Sequence, residues 1–241
     1  KAWIPGIAHL PGANQSLWRA DITFLNDTDS LISARVDYVP EESLGYSPFM
    51  IMNIDAGNAL YYGDVLGVSM LPPETESKGY FVVTSRGDYA VPHMVARTYN
   101  VATEGGTFGQ NLVVFDEGDL IHEGESGFIP GVGNSPSQDQ GFRTNVGVLN
   151  TDTENGATVS VTLYDTAGGI AAHLSSYWIP PAKFVQYNIF QALGIGDQEL
   201  HASIEVHVVS GGPIAVYASE IDNRTQDPIL VPAVTPQSMQ R

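Results

Sequence analysis

The stretch HASIEVHVV sets His201, Ser203, Glu205 and His207 at every second position. Imidazole and carboxylate are zinc ligands and acid–base groups. Two-residue spacing places all four on one face of a strand, with Ala202, Ile204, Val206 and Val208 on the other. Distance limits their chemistry. Side chains two apart on a strand stand about 7 Å from each other, so His201 and His207 are about 20 Å apart and cannot share one ion. An ordinary solvent or interface face is the better reading.

The other chemical patterns fail on spacing. Ser126 sits in GESGF, which lacks the last glycine of a G-x-S-x-G elbow, and its surroundings read as a linker. HEGES lacks the second histidine of a helical zinc site, and the glycines of GVGNSP open no helix to cradle phosphate. The turns NDTDS and NTDTEN carry Asn26, Asp27, Asp29, Asp152 and Glu154, oxygen ligands of the kind calcium takes. Neither turn has the glycine and distant glutamate of a calcium loop. Calcium is the one cofactor these turns leave open; no catalytic, cofactor-binding or metal-ligating residue is assigned, and the chain reads as a non-enzyme. Sequons occur at Asn14, Asn26 and Asn223.

Composition removes further classes. Ten basic residues against 27 acidic ones give a formal charge of −17 over 241 residues. Such a chain repels phosphate backbones and anionic membranes, so neither nucleic acid nor membrane insertion is expected. No apolar run approaches the roughly 20 residues of a membrane-spanning helix. The absence of cysteine excludes disulfides, thiolate metal sites and a cysteine nucleophile. Few basic residues, with abundant Gly, Asn, Thr and Ser, fit an exported bacterial protein in its mature form, extracellular or at the cell surface.

The elements that position these residues come from an internal repeat. WRADITFLN begins at Trp18 and FRTNVGVLN at Phe142, 124 positions later by subtraction. Both alternate apolar and polar residues, as half-buried strands do, and both end in Leu-Asn before an acidic turn. Ile4-Pro5-Gly6 and Ile129-Pro130-Gly131 precede the two copies. Later landmarks keep the same order: a short helical turn capped by Asp64 or Asn188 and ended by Gly67 or Gly194, then a strand closing on Asn100 or Asn223. The fold class is therefore all-β. It comprises two tandem Ig-like antiparallel β-sandwiches, residues 1–120 and 121–241, each with one short helical turn and joined within residues 116–127.

The paired sets IPG…WRADITFLN…VARTYN…GGTFGQ and IPG…FRTNVGVLN…YASEIDNRTQDPILVPA resemble a group of largely uncharacterised repeats in exported and cell-surface bacterial proteins. The resemblance spans nearly the whole chain and implies an extracellular β-sandwich. Its motifs are structural, so it brings no catalytic residues.

Two candidate sites follow from the repeat. Arg19 and Asp21, with their counterparts Arg143 and Asn145, form a polar patch whose bland reading is a guanidinium satisfying nearby carbonyls. The segment KAWIPGIAHL is apolar and β-prone; Trp3, Ile4, Ile7 and His9 are expected to complete the sheet of another chain by strand addition. The leading function is a non-catalytic structural or interaction protein, a fibre or matrix subunit, that associates with itself or with another surface protein. The alternative is a carbohydrate- or polymer-binding module with a glycan ligand stacked on exposed aromatics. A hydrolase ranks last, because carboxylates are plentiful but no facing pair is visible.

Overall fold

The computed structural model describes residues 1–12, 16–101 and 106–235. The sequon at Asn14 lies outside the described residues. Among the described residues strand makes up 58% and helix 6%, and the sheets are antiparallel. Among the described residues no helix is long and apolar enough to cross a membrane. The chain divides into two units, Lys1–Glu117 and Gly118–Arg241.

The first unit holds β1 (Ala2–Pro11), β2 (Leu17–Leu25), β3 (Ile32–Pro40), β4 (Phe49–Ile54), β5 (Ala59–Tyr62), β6 (Ser77–Ser85), β7 (His93–Val101) and β8 (Thr107–Leu112). Its strands run β4-β3-β6-β1 and β5-β2-β7-β8, and β1 passes from the first array to the second where Leu10 and Pro11 meet Trp18 and Leu17. The second unit holds β9 (Ser126–Asn134), β10 (Phe142–Asn150), β11 (Ala157–Asp165), β12 (Ile170–Ile179), β13 (Phe184–Asn188), β14 (Leu200–Gly211), β15 (Ile214–Asp222) and β16 (Pro228–Pro232). Its sheets run β12-β11-β14-β9 and β13-β10-β15-β16. Adding eight to every label of the first unit yields the second, so the two copies share one topology.

Alternation decides which side chains enter the core. In β2, Ala20, Ile22 and Phe24 are buried, and in β14 so are Ala202, Ile204, Val206 and Val208. Trp18, an inward position by alternation, is only half-buried, with its indole against Gly12, where a methyl group would overlap the ring. The Ile-Pro-Gly motif is a bulge in both units. Gly6 and Gly131 have φ of 88° and 66°, and the pairing of β1 with β6 and of β9 with β14 shifts register there.

Buried asparagines explain why both copies end in Leu-Asn. Asn26 donates through Nδ2 to the carbonyls of Ser30 and Ile54 at 2.7 and 2.8 Å, and its Oδ1 accepts from the Thr28 amide and hydroxyl. Asn150 donates to the carbonyls of Asn155, Ile179 and Pro180 and accepts from the Asp152 amide. Each side chain thus ties the turn after β2 or β10 to the end of β4 or β12. The sequon at Asn26 is consequently a structural element with its amide enclosed.

Two landmarks depart from the sequence reading. Asn188 caps α1 (Ile189–Ala192) by accepting from the Gln191 amide, and Gly194 follows with φ of 75°. Asp64 caps nothing: its φ is 43°, the turn after it is π-helical over Leu66–Met70, and its carboxylate goes elsewhere. Asn100 faces Trp18, whereas the Asn223 amide bonds the Gly141 carbonyl, so these two asparagines are one residue out of register.

Replacing Asn150 by Ala removes the donor to the Asn155, Ile179 and Pro180 carbonyls, of which the bond to Ile179 is buried. We expect Asn150→Ala to lower stability by roughly 2–4 kcal/mol, against less than about 0.5 kcal/mol for Asp29→Ala on an exposed turn. Denaturant unfolding of the full chain measures both, and equal midpoints would contradict this role.

Candidate functional site

The N-terminal segment is β1 of its own unit. Trp3, Ile4 and Ile7 are buried, β1 pairs with β6 from Ala2 to His9, and Trp3 exchanges both backbone hydrogen bonds with Phe115 at 2.9 Å. The expected donor strand for a neighbouring chain is therefore engaged at home. Its apolar residues are consumed by the core they were expected to complete elsewhere.

His9 leads instead to a polar network on the outer face of the β5-β2-β7-β8 sheet. Its Nδ1 stands 2.7 Å from Asp64 Oδ1, and Arg19 Nε stands 3.2 Å from Asp64 Oδ2. Gly67 makes this possible, since a methyl group there would overlap the His9 ring. Asp64 donates its backbone amide to Asp21 Oδ1 at 2.9 Å. Asp21 accepts two phenols as well, Tyr99 on Oδ1 and Tyr61 on Oδ2, both at 3.0 Å. Arg97 lies opposite Asp21 across β2 and β7, yet the two form no ion pair among the described residues. Its Nη2 donates to Thr107 Oγ1 at 2.8 Å, and its guanidinium lies 5.0 Å over the Tyr99 ring.

The patch read from the sequence is thus half of a larger site. Arg19 and Asp21 are brought together through Asp64; Arg143 and Asn145 are not the start of a second copy. Register shows what the second unit places around them. Tyr61, Arg97 and Tyr99 face Thr23, Asp21 and Arg19, whereas Gln186, Ser219 and Ile221 face Gly147, Asn145 and Arg143. Arg143 donates to Asn223 Oδ1 and Gln226 Oε1 in a structural role, and burial lowers its guanidinium's affinity for a proton. One topology therefore forms with the phenols, the carboxylate and the second guanidinium and without them.

Chemistry at the face is constrained by how the carboxylates are occupied. Asp64 lies between a guanidinium and an imidazole, and Asp21 already accepts three hydrogen bonds. With donors already seated on both carboxylates, the arrangement suits binding. Tyr99 responds to this setting: burial first, then its bond to Asp21, pushes its phenol up to about 12. The bond to Asp21 raises that of Tyr61.

The β14 face yields a second cluster. Ser126, which opens β9 and is not part of a linker, donates its hydroxyl proton to Glu205 Oε1 at 2.8 Å, and His207 Nδ1 stands 3.1 Å from Ser126 Oγ. Because the serine proton is committed to the carboxylate, His207 acts there as donor and not as the base a nucleophilic serine needs. Tyr164 donates to Glu205 Oε2 at 2.8 Å. His201 is elsewhere, at the β9 edge opposite Gly133. Among the described residues no group of three or more His, Asp or Glu side chains gathers as a metal site. The acidic turn of Asp152 is spent on itself, with its carboxylate accepting from the Glu154 and Asn155 amides, which hold it below the usual carboxylate range.

No protein-family model matches the chain. No curated protein matches it either.

The phenol–carboxylate contacts have a measurable consequence. A phenol raised above its unfolded value of about 10 stabilises fully below pH 10 and loses that contribution as pH rises through about 12. Asp21→Asn removes the charge and leaves the burial. We expect the Tyr99 ionisation to move below 12 without reaching the unfolded value, read by ultraviolet difference titration against wild type. An unchanged alkaline titration would show that Asp21 does not hold the phenols.

Proposed function

We propose that the protein is a non-catalytic structural and interaction module of the extracellular or cell-surface space. It is built as two tandem Ig-like β-sandwiches and associates by strand addition at the β4 edge. The edge itself carries this reading. An open edge presents unpaired amides and carbonyls, and proteins usually blunt it with bulges, charge, proline or brevity.

Most edges of this chain are blunted. β1 and β9 are bulged and bridged on their outer sides by Phe115 and Val234. The register of β12 is interrupted twice, β16 begins and ends in proline, and β5 and β13 run four and five residues. On β8 Phe108 is flanked by Thr107, Gly109, Gln110 and Asn111. β4 differs. FMIMNI pairs with β3 without interruption, contains no charge and no proline, and leaves Phe49 and Ile51 51% and 47% exposed.

A second copy is the occupant that charge favours. Two chains of −17 repel wherever acidic surface meets acidic surface. An antiparallel pairing of β4 with β4 centred on Ile51 sets Phe49 opposite Asn53 and Met50 opposite Met52, so no like charges face each other. The occupied carboxylates of the polar face support the non-catalytic part of the proposal.

Ile51→Lys places an ammonium in the pairing edge while its side chain stays in water. Sedimentation velocity should show wild type passing from monomer to dimer with rising concentration. Ile51→Lys should remain monomeric with stability changed by less than about 0.5 kcal/mol. A wild type that stays monomeric at every concentration would overturn association through β4.

A further inference from the structure

The polar face of the first unit has a composition that strand addition does not use. Tyr61 is 67% exposed, yet its hydroxyl is already bonded to Asp21. The ring is therefore held in place while its surface stays in water, so covering it costs little side-chain entropy. Beside it, Asp21 keeps acceptor capacity on Oδ2, which takes one phenol where a carboxylate oxygen has two lone pairs. Across the strand pair, Arg97 places its Nη2 on Thr107 and leaves further guanidinium donors available.

An aromatic surface flanked by an acceptor and a donor matches a ligand with an apolar face and a rim of hydroxyls. Each hydroxyl of a sugar ring donates and accepts at once, and its C–H face stacks on aromatic rings. The charges narrow the class. An anionic ligand meets a chain of −17, and an organic cation drawn to Tyr61 meets the charge of Arg97, which acts on the Tyr61 phenol. A neutral ligand escapes both penalties. The fold does not require the constellation, because the second unit keeps the same strand order with Asn145, Gln186, Ser219 and Ile221 at the corresponding positions.

We infer that this face binds a neutral polysaccharide, one sugar ring stacking on Tyr61 and its hydroxyls bridging Asp21 and Arg97. The site goes beyond the β4 edge and is independent of it.

Affinity electrophoresis of the full chain tests the site, in gels cast with arabinoxylan, galactomannan, mixed-linkage β-glucan or dextran, and with alginate as the anionic comparison. We expect retardation by at least one neutral polysaccharide. Tyr61→Ala should weaken that interaction about tenfold or more, and Tyr61→Phe, which keeps the ring but loses its tether to Asp21, should weaken it by less. Unchanged melting of Tyr61→Ala is the check that the exposed residue was removed without unfolding. Ile51→Lys should be retarded like wild type, which separates this site from the β4 seam. Retardation by none of the neutral polysaccharides, retardation by alginate alone, or undiminished retardation of Tyr61→Ala would each overturn the proposal.

Discussion

A primary amide sealed inside a turn organises each unit. Asn26 and Asn150 satisfy backbone groups from two separate segments, the turn after their own strand and the end of β4 or β12. An amide suits this because it donates and accepts from one rigid plane, whereas a carboxylate would face those carbonyls with no proton to give. With the turn tied down, the inward residues of the next strand enter the core in one register. The bulges at Gly6 and Gly131 complement this constraint by bending the first strand of each unit.

Much of the architecture was legible because its rules are local. Alternation in WRADITFLN predicts the buried face of β2, and two copies of one pattern predict two copies of one strand order. Ile-Pro-Gly, by contrast, was recognisable only as a recurring landmark; its role as a bulge depends on a partner strand more than seventy residues away. The destination of β1 is hidden from the sequence for a related reason. An apolar strand at one end of a chain looks the same whether it enters its own core or a neighbour's, and only the pairing of Ala2–His9 with β6 separates the two.

The polar face was partly legible. Arg19 and Asp21 were visible through two-residue spacing on a strand. Tyr61, Asp64, Arg97 and Tyr99 come from β5, a turn and β7, and become neighbours only through cross-strand register. A signal for them did exist in the difference between the copies. Sliding one repeat over the other in the register of the sheets aligns Arg97 with Ser219 and Tyr99 with Ile221, but the matching asparagines 100 and 223 pull a sequence alignment one residue aside. The misassigned role of Asp64 has a similar origin. An Asp before a helical turn is normally a cap, and here a left-handed backbone turns its carboxylate toward His9 and Arg19.

Duplication gives the molecule an evolutionary freedom that a single sandwich lacks. The second unit shows that the shared strand order tolerates an amide in place of Asp21, an aliphatic side chain in place of Tyr99 and a hydroxyl in place of Arg97. The strand order therefore does not depend on the side chains of that face. Successive descendants of such a chain can acquire or lose recognition on one copy while the other preserves the scaffold, so that variation in what is recognised becomes uncoupled from variation in what folds.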